Sequence, residues 1–308
     1  MKKSEIANEQ PTPRVIALVM LLALLWGGNS VSIKIGLQGI PPLALAGLRF
    51  LLGLAAITVW SLSQRIQMRM NRGELLPLLC LSAIFLAQII ALNVGTRFTL
   101  ASHSTILVTT YPFFTALFAH FWVPGERLTL RKTVGICIAF SGVLLTFAKH
   151  LQPIPPTPLF KGGQGGLLLG DLIVLMSGCL LGLRTVVTKR LVQSIHPYRL
   201  LVWLMILSLP CFFGLSFFLE KGASYHFSAS GVTAICYQGL VVAGFCFVAW
   251  TSVLEKYSPS KLVVLFFTTP LFGVLLSHLL LGDEISPSLI AGAGFVAGGI
   301  YLVNKKAE

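Results

Sequence analysis

The sequence predicts an all-α integral membrane protein of ten transmembrane helices in two inverted five-helix repeats. Three observations carry that reading. Of 308 residues, 55% are hydrophobic and 11% charged, where a soluble domain carries about 25% charged residues. Residues 110–126 return at 268–284: Thr110 matches Thr268, Pro112 matches Pro270, Phe114 matches Phe272, His120 matches His278 and Glu126 matches Glu284. The register holds without gaps from Ser102/Ser260 to Leu144/Leu302, so one unit occurs twice. Finally, Lys and Arg cluster in alternate short segments between the apolar runs, as membrane topology requires.

Taken in order, the chain opens with a tail, 1–14, holding Lys2, Lys3 and Arg14. The first apolar run, 15–33, is too long for the core of a cleaved signal and is expected to stay as a span. Further runs follow at 43–62, 75–95, 103–123, 133–148, 167–187, 199–219, 230–253, 262–281 and 286–303. Each approaches the roughly 20 apolar residues that cross a bilayer. Prolines mark the junctions at 41–42, 124, 197, 259 and 287, and proline suits a first helical turn. Residues 149–166, Pro/Gly-rich, read as a periplasmic linker without a core of its own. The repeats are therefore 15–148 and 167–303, with a C-terminal tail at 304–308.

With the N-terminus inside, inner segments hold 17 Lys and Arg, among them Arg184, and outer segments five. Arg49 lies within a span. That asymmetry puts both termini in the cytoplasm. Five helices per half make the second half enter from the opposite side, so the repeat is inverted. That architecture is common among secondary transporters, whose substrate site lies near the midplane between the halves.

Composition also excludes. The net charge of +13 would mean nucleic acid only as a basic face on a soluble domain. Here it is topological, so the expected partners are the lipid bilayer and a small-molecule substrate, with the chain a monomer or homodimer. The six cysteines lie inside apolar runs with no Cys-x-x-Cys, and neither disulfide, metal nor cofactor is expected. No phosphate loop, nucleophile elbow or zinc motif occurs.

An ordered set of motifs resembles the EamA-type transporters of the drug/metabolite transporter superfamily. It comprises Leu25-Trp26-Gly27-Gly28-Asn29 with Lys34, Leu48-Arg49-Phe50, Pro112 through Gly125-Glu126, Gly135 to Gly142, Gly170-Asp171, and Pro270 through Glu284. The resemblance covers nearly the whole chain. It implies an inner-membrane carrier of ten helices in two inverted repeats that moves small solutes, often exporting metabolites or amino acids. Two departures make the halves inequivalent: Leu204 stands where the second repeat would match Arg49, and Leu181-Gly182 faces Trp26-Gly27.

The candidate cavity-lining residues are Trp26, Asn29, Arg49, Gln88, Asn93, Tyr111, Tyr237, Gln238 and Trp250. Arg49 is the sharpest, because a charge inside a span costs about 2.5–3.5 kcal/mol. It either binds an anionic substrate group or holds carbonyls near a helix end. Polar side chains on the third and eighth runs either glue helices or line the path. Lys34 reads as an interfacial anchor. Pro112 and Pro270, each preceded by threonines, are candidate hinges or fixed bends. His120/His278 and Glu126/Glu284 read as boundary groups. Gly294 and Gly298 form a Gly-x-x-x-Gly face, expected to pack on the fifth helix. The function this supports is a secondary transporter, an exporter working by alternating access. A membrane enzyme would need a nucleophile, metal or carboxylate pair, and a sensor would need an output domain.

Overall fold

The computed structural model describes residues 7, 9–99, 104, 107–147, 163–272 and 287–304. Among them the chain is helical between its turns, apart from one isolated parallel bridge, Glu9 with Tyr257. In order these helices are α1 (Pro13–Gly27), α2 (Asn29–Gly36), α3 (Pro42–Ser63), α4 (Leu75–Phe98), α5 (Tyr111–Trp122), α6 (Leu130–Phe147), α7 (Gly163–Leu191), α8 (Pro197–Leu219), α9 (Ala229–Cys236), α10 (Phe247–Lys256), α11 (Pro259–Val263) and α12 (Pro287–Asn304). A π-helix, Tyr237–Cys246, joins α9 to α10, and a 3-10 turn, Val264–Thr268, follows α11. Among the described residues, six stretches are long and apolar enough to cross a membrane: Pro13–Gly36, Pro42–Ser63, Arg72–Phe98, Leu168–Leu191, Pro197–Leu219 and Ala229–Lys256. Large apolar side chains face outward, Phe121 at 71% and Leu130 at 81% exposure. Outside water such faces cost nothing, so the apolar surface is what a bilayer solvates.

Local chemistry places the helix ends. Thr12 caps α1 and Pro13 takes its first turn. Ser228 caps α9 by accepting from the Gly231 N–H at 3.1 Å. The orphan N–H groups of Leu43 and Ala44 at the start of α3 both donate to the Glu220 carboxylate, at 2.8 and 3.1 Å, a favourable place for a negative charge. Asn71 and Glu74 form a capping box before α4, and Glu74 also pairs with Arg199 at 2.6 Å, tying α4 to the start of α8.

Glycines set the closest crossings. A Cβ on Gly239 would lie 2.6 Å from the Cβ of Leu52 and 3.0 Å from the Arg49 carbonyl, so the π-helix and α3 meet backbone to backbone. α12 packs on α6, as expected, but through other glycines. Gly142 faces the Gly292 carbonyl and Gly299 faces Ala139, whereas Gly294 and Gly298 meet open space. The 3.6-residue period decides this: Gly292 and Gly299, seven apart, share one stripe, and the Gly-x-x-x-Gly pair falls on another.

Several boundaries differ from the sequence reading. The first run is one continuous path broken at Gly28, where a Cβ would stand 2.8 Å from the Tyr237 hydroxyl. Residues 163–166, read as linker, begin α7. The N-terminal tail is not free: the Glu9 N–H donates to the Lys256 carbonyl at 3.0 Å and the Ala7 N–H to Gln193 at 3.1 Å. His278, Glu284 and residues 149–162 lie outside the described residues.

A candidate substrate cavity

Trp26 packs on two apolar clusters. One holds Phe50, Phe85, Met205 and Phe212 from α3, α4 and α8. The other holds Val19, Leu22, Cys246, Trp250 and Phe266. Where the clusters meet, the helices leave a cavity of about 130 Å³. α1, α2, α3, α4, α5, α7, the π-helix and α10 contribute to its wall, as do residues 108–109, Phe266 and Thr269.

The cavity gathers Trp26, Asn29, Arg49, Gln88, Tyr111, Gln238 and Trp250. Arg49 lies seven residues past Pro42 on α3, about 10 Å into the helix at 1.5 Å per residue. It is 3% exposed. Its guanidinium donates to the Gln238 Oε1 at 3.4 Å and lies 4.6 Å from the Phe50 ring centroid. Gln238 in turn donates to the Ser32 carbonyl at 3.0 Å, so α2, α3 and the π-helix are joined through one amide. Trp26, Trp250 and Phe266 form one wall, with Phe266 5.1 Å from Trp26 and 5.0 Å from Trp250 between ring centroids.

Two of the expected lining residues do not line it. Asn93 is fully buried and donates to the Pro42 carbonyl at 2.9 Å, so it fixes α4 to the start of α3. Tyr237 donates its hydroxyl to the Leu25 carbonyl, filling the break at Gly28. Pro112 sits in the first turn of α5, after a turn at Thr109–Thr110. Pro270 follows the 3-10 turn. Both prolines therefore mark places where the helix geometry changes.

The EamA-like transporter family model matches residues 13–148 and 168–305. The chain belongs to that family. This EamA-like transporter is 26% identical to an uncharacterized transporter of Bacillus subtilis, over 94% of this chain and 96% of the relative. It is 26% identical to a "Probable amino-acid metabolite efflux pump" of Escherichia coli, over 92% and 93%. It is 22% identical to a "Probable terminal-alkyne amino-acid exporter" of Streptantibioticus cattleyicolor, over 95% and 94%. A crystal structure matches with a TM-score of 0.77 at 16% identity, over 94% of this chain and 97% of the other, which is a likeness of fold.

The residue of this EamA-like transporter that the sequence reading misplaced is Arg184. Counted there with the inner loops, it lies seven residues before the end of α7 and lines the cavity. Its guanidinium donates to the Gln88 Oε1 at 2.9 Å and lies 5.2 Å from the Phe85 ring centroid and 5.3 Å from that of Phe247. Arg184 falls within the apolar run 167–187, as Arg49 falls within its own, but with Lys189 and Arg190 close behind it is tallied with the inner charges. Lys34 also differs: its Nζ donates to the Thr96 and Thr99 carbonyls at 3.1 and 3.0 Å, capping the end of α4 instead of reaching for headgroups.

Away from the cavity, Glu126 is a buried tie. It pairs with Lys132 at 2.8 Å and accepts from the Ser258 hydroxyl at the start of α11. Burial alone would raise its carboxyl, but the charge of Lys132 and hydrogen bonds from Lys132, Ser258 and Ser260 outweigh that and lower it.

Proposed function

We propose that this membrane transporter is a secondary carrier that exports a small metabolite, amino acid or drug-like solute across the inner membrane by alternating access. Its architecture is ten spans in two inverted repeats, with both termini in the cytoplasm. The observation that carries the reading is the cavity, where seven polar or aromatic side chains from separate helices converge. Soluble-phase solutes need such a wall, apolar over most of its area with a few placed polar groups. The names of the relatives, an efflux pump and an exporter, support the direction.

The repeat reading has its own support. Lys34 and Lys189 are matched positions in the two halves. Lys34 donates to the carbonyls of residues 96 and 99, and Lys189 to those of residues 255 and 257. The same cap therefore closes α4 in one half and α10 in the other. In the carrier, Pro112 and Pro270 serve as the hinges on which the halves rock.

The test is transport by the purified full chain in proteoliposomes, against a panel of amino acids, organic acids and amphipathic drugs. At least one solute should exchange across the bilayer, and Trp250→Ala should lower that flux at least about tenfold, the size of a lost 1.4 kcal/mol contact. A panel in which nothing moves, or a flux indifferent to Trp250, would sink the reading and favour a non-transporting binding protein.

A further inference from the structure

Two guanidiniums face this cavity, and among the described residues no carboxylate lines it to balance them. Arg49 enters from α3 and Arg184 from α7, and both rest on one aromatic cluster. Phe50, beneath Arg49, and Phe85, beneath Arg184, have ring centroids 4.8 Å apart. Among the described residues each guanidinium donates one hydrogen bond, to a glutamine carbonyl, at 3.4 Å for Arg49 and 2.9 Å for Arg184. The Nε of Arg49 is buried without a partner, as are the Asn29 Oδ1 and the Thr269 Oγ1. None of the described residues lining the cavity is Asp or Glu.

Physical chemistry makes that arrangement incomplete. A guanidinium does not shed its proton to escape burial, as a lysine can. Two such charges removed from water need an opposite charge. A neutral amide oxygen accepts a hydrogen bond but supplies no charge. The planar fork of arginine matches a carboxylate, and charge-assisted bonds of that kind are about twice as strong as neutral ones. The rest of the wall selects the body of the ligand. Trp26, Trp250 and Phe266 give flat apolar faces. The volume of about 130 Å³ is close to the ~150 Å³ of a cavity that holds one benzene.

We infer that the cavity binds a small organic carboxylate. Its carboxylate lies between Arg49 and Arg184, and a body of about one ring or one branched chain lies against Trp26, Trp250 and Phe266. This rests on the carrier reading of the cavity and narrows its substrate class. The unpartnered Asn29 and Thr269 oxygens are placed to meet a hydroxyl or amino group on that body. A cationic solute meets two like charges there, and a neutral one leaves both guanidiniums unbalanced.

Isothermal titration of the solubilised full chain tests this with matched carboxylate, primary amide and primary amine probes. Phenylacetate, phenylacetamide and phenethylamine form one set; isovalerate, isovaleramide and isopentylamine form a second. In at least one set the carboxylate should bind about tenfold or more tighter than its amide, with the amine weakest. Arg184→Gln and Arg49→Gln should each erase that preference, bringing the carboxylate and its amide to similar affinity. Amides or amines that bind as well as carboxylates in both sets, or no carboxylate binding in either, overturn the inference without needing any variant. Counterflow in proteoliposomes separates the two claims. Carboxylates that bind but never cross refute the carrier and keep the anion site. Transport of neutral or cationic solutes, undisturbed by either carboxylate, does the reverse.

Discussion

Arg49 and Arg184 differ little as residues and differed greatly in how they could be read. Both interrupt apolar runs. Arg49 stands alone in its run, so its cost inside a membrane is plain from sequence. Arg184 is followed by Lys189 and Arg190, and one-dimensional charge counting folds it into their loop. The helix keeps it about a turn and a half from those lysine and arginine side chains. Gln88 is the residue that holds it, and it also bonds Ser177 at 3.1 Å. Replacing Gln88 with leucine removes the acceptor of a buried charge, a loss of about 1.5–3 kcal/mol. The expected outcome is KM raised about tenfold or more with normal expression, read from proteoliposome kinetics. Glu126 gives a second residue-scale expectation. Its carboxyl is lowered in the folded chain, so its tie contributes stability above the carboxyl's unfolded value. That contribution is lost as pH falls through the folded value. Glu126→Gln should cost about 2 kcal/mol at pH 7, and thermal unfolding of the two proteins should converge in acid.

At the scale of elements, the apolar runs were legible because spanning length and hydrophobicity are local properties. Their irregularities were not. The first helix breaks at Gly28, where Tyr237, 209 residues later, donates its hydroxyl to the Leu25 carbonyl and leaves no room for a Cβ. The π-helix 237–246 places Gln238 on Arg49, and such bulges are frequent at functional sites. Neither follows from composition. Glycine spacing misled for a related reason: a Gly-x-x-x-Gly pattern marks a flat face but not what covers it. A Cβ on Gly299 would stand 2.6 Å from the Cβ of Ala139, while Gly298 has open space. Gly299→Ala should therefore destabilise the α6–α12 pair by about 1–3 kcal/mol. Gly298→Ala should be neutral or slightly stabilising. Thermal melts of both variants in one detergent check the contrast.

The whole molecule brings distant segments to two ends of the bundle. At one, Lys189 is fully buried and bonds the carbonyls of Ala7, Glu255 and Tyr257. At the other, Lys34 holds the end of α4, and the His226 N–H donates to the Gly39 carbonyl at 2.8 Å. A carrier must loosen such ties alternately. Under the proposed mechanism Pro112 absorbs that motion where α5 begins. Pro112→Ala should change turnover several-fold while leaving the affinity of the bound state nearly untouched. Unchanged turnover would show the bend to be fixed packing.

Sequence alone determined that this is a membrane-embedded helical transporter, because hydropathy, charge asymmetry and the motifs of the EamA-like family are all written along the chain. It also named seven side chains of the cavity wall. Only the tertiary structure decided which polar groups share that cavity. Asn93 and Tyr237 turn away to satisfy backbone carbonyls, and Arg184 turns inward beside Arg49. A polar residue in a span has two ways to avoid an unmet hydrogen bond: a neighbouring helix or the cavity. Which one it takes depends on partners from about 50 to over 200 residues away.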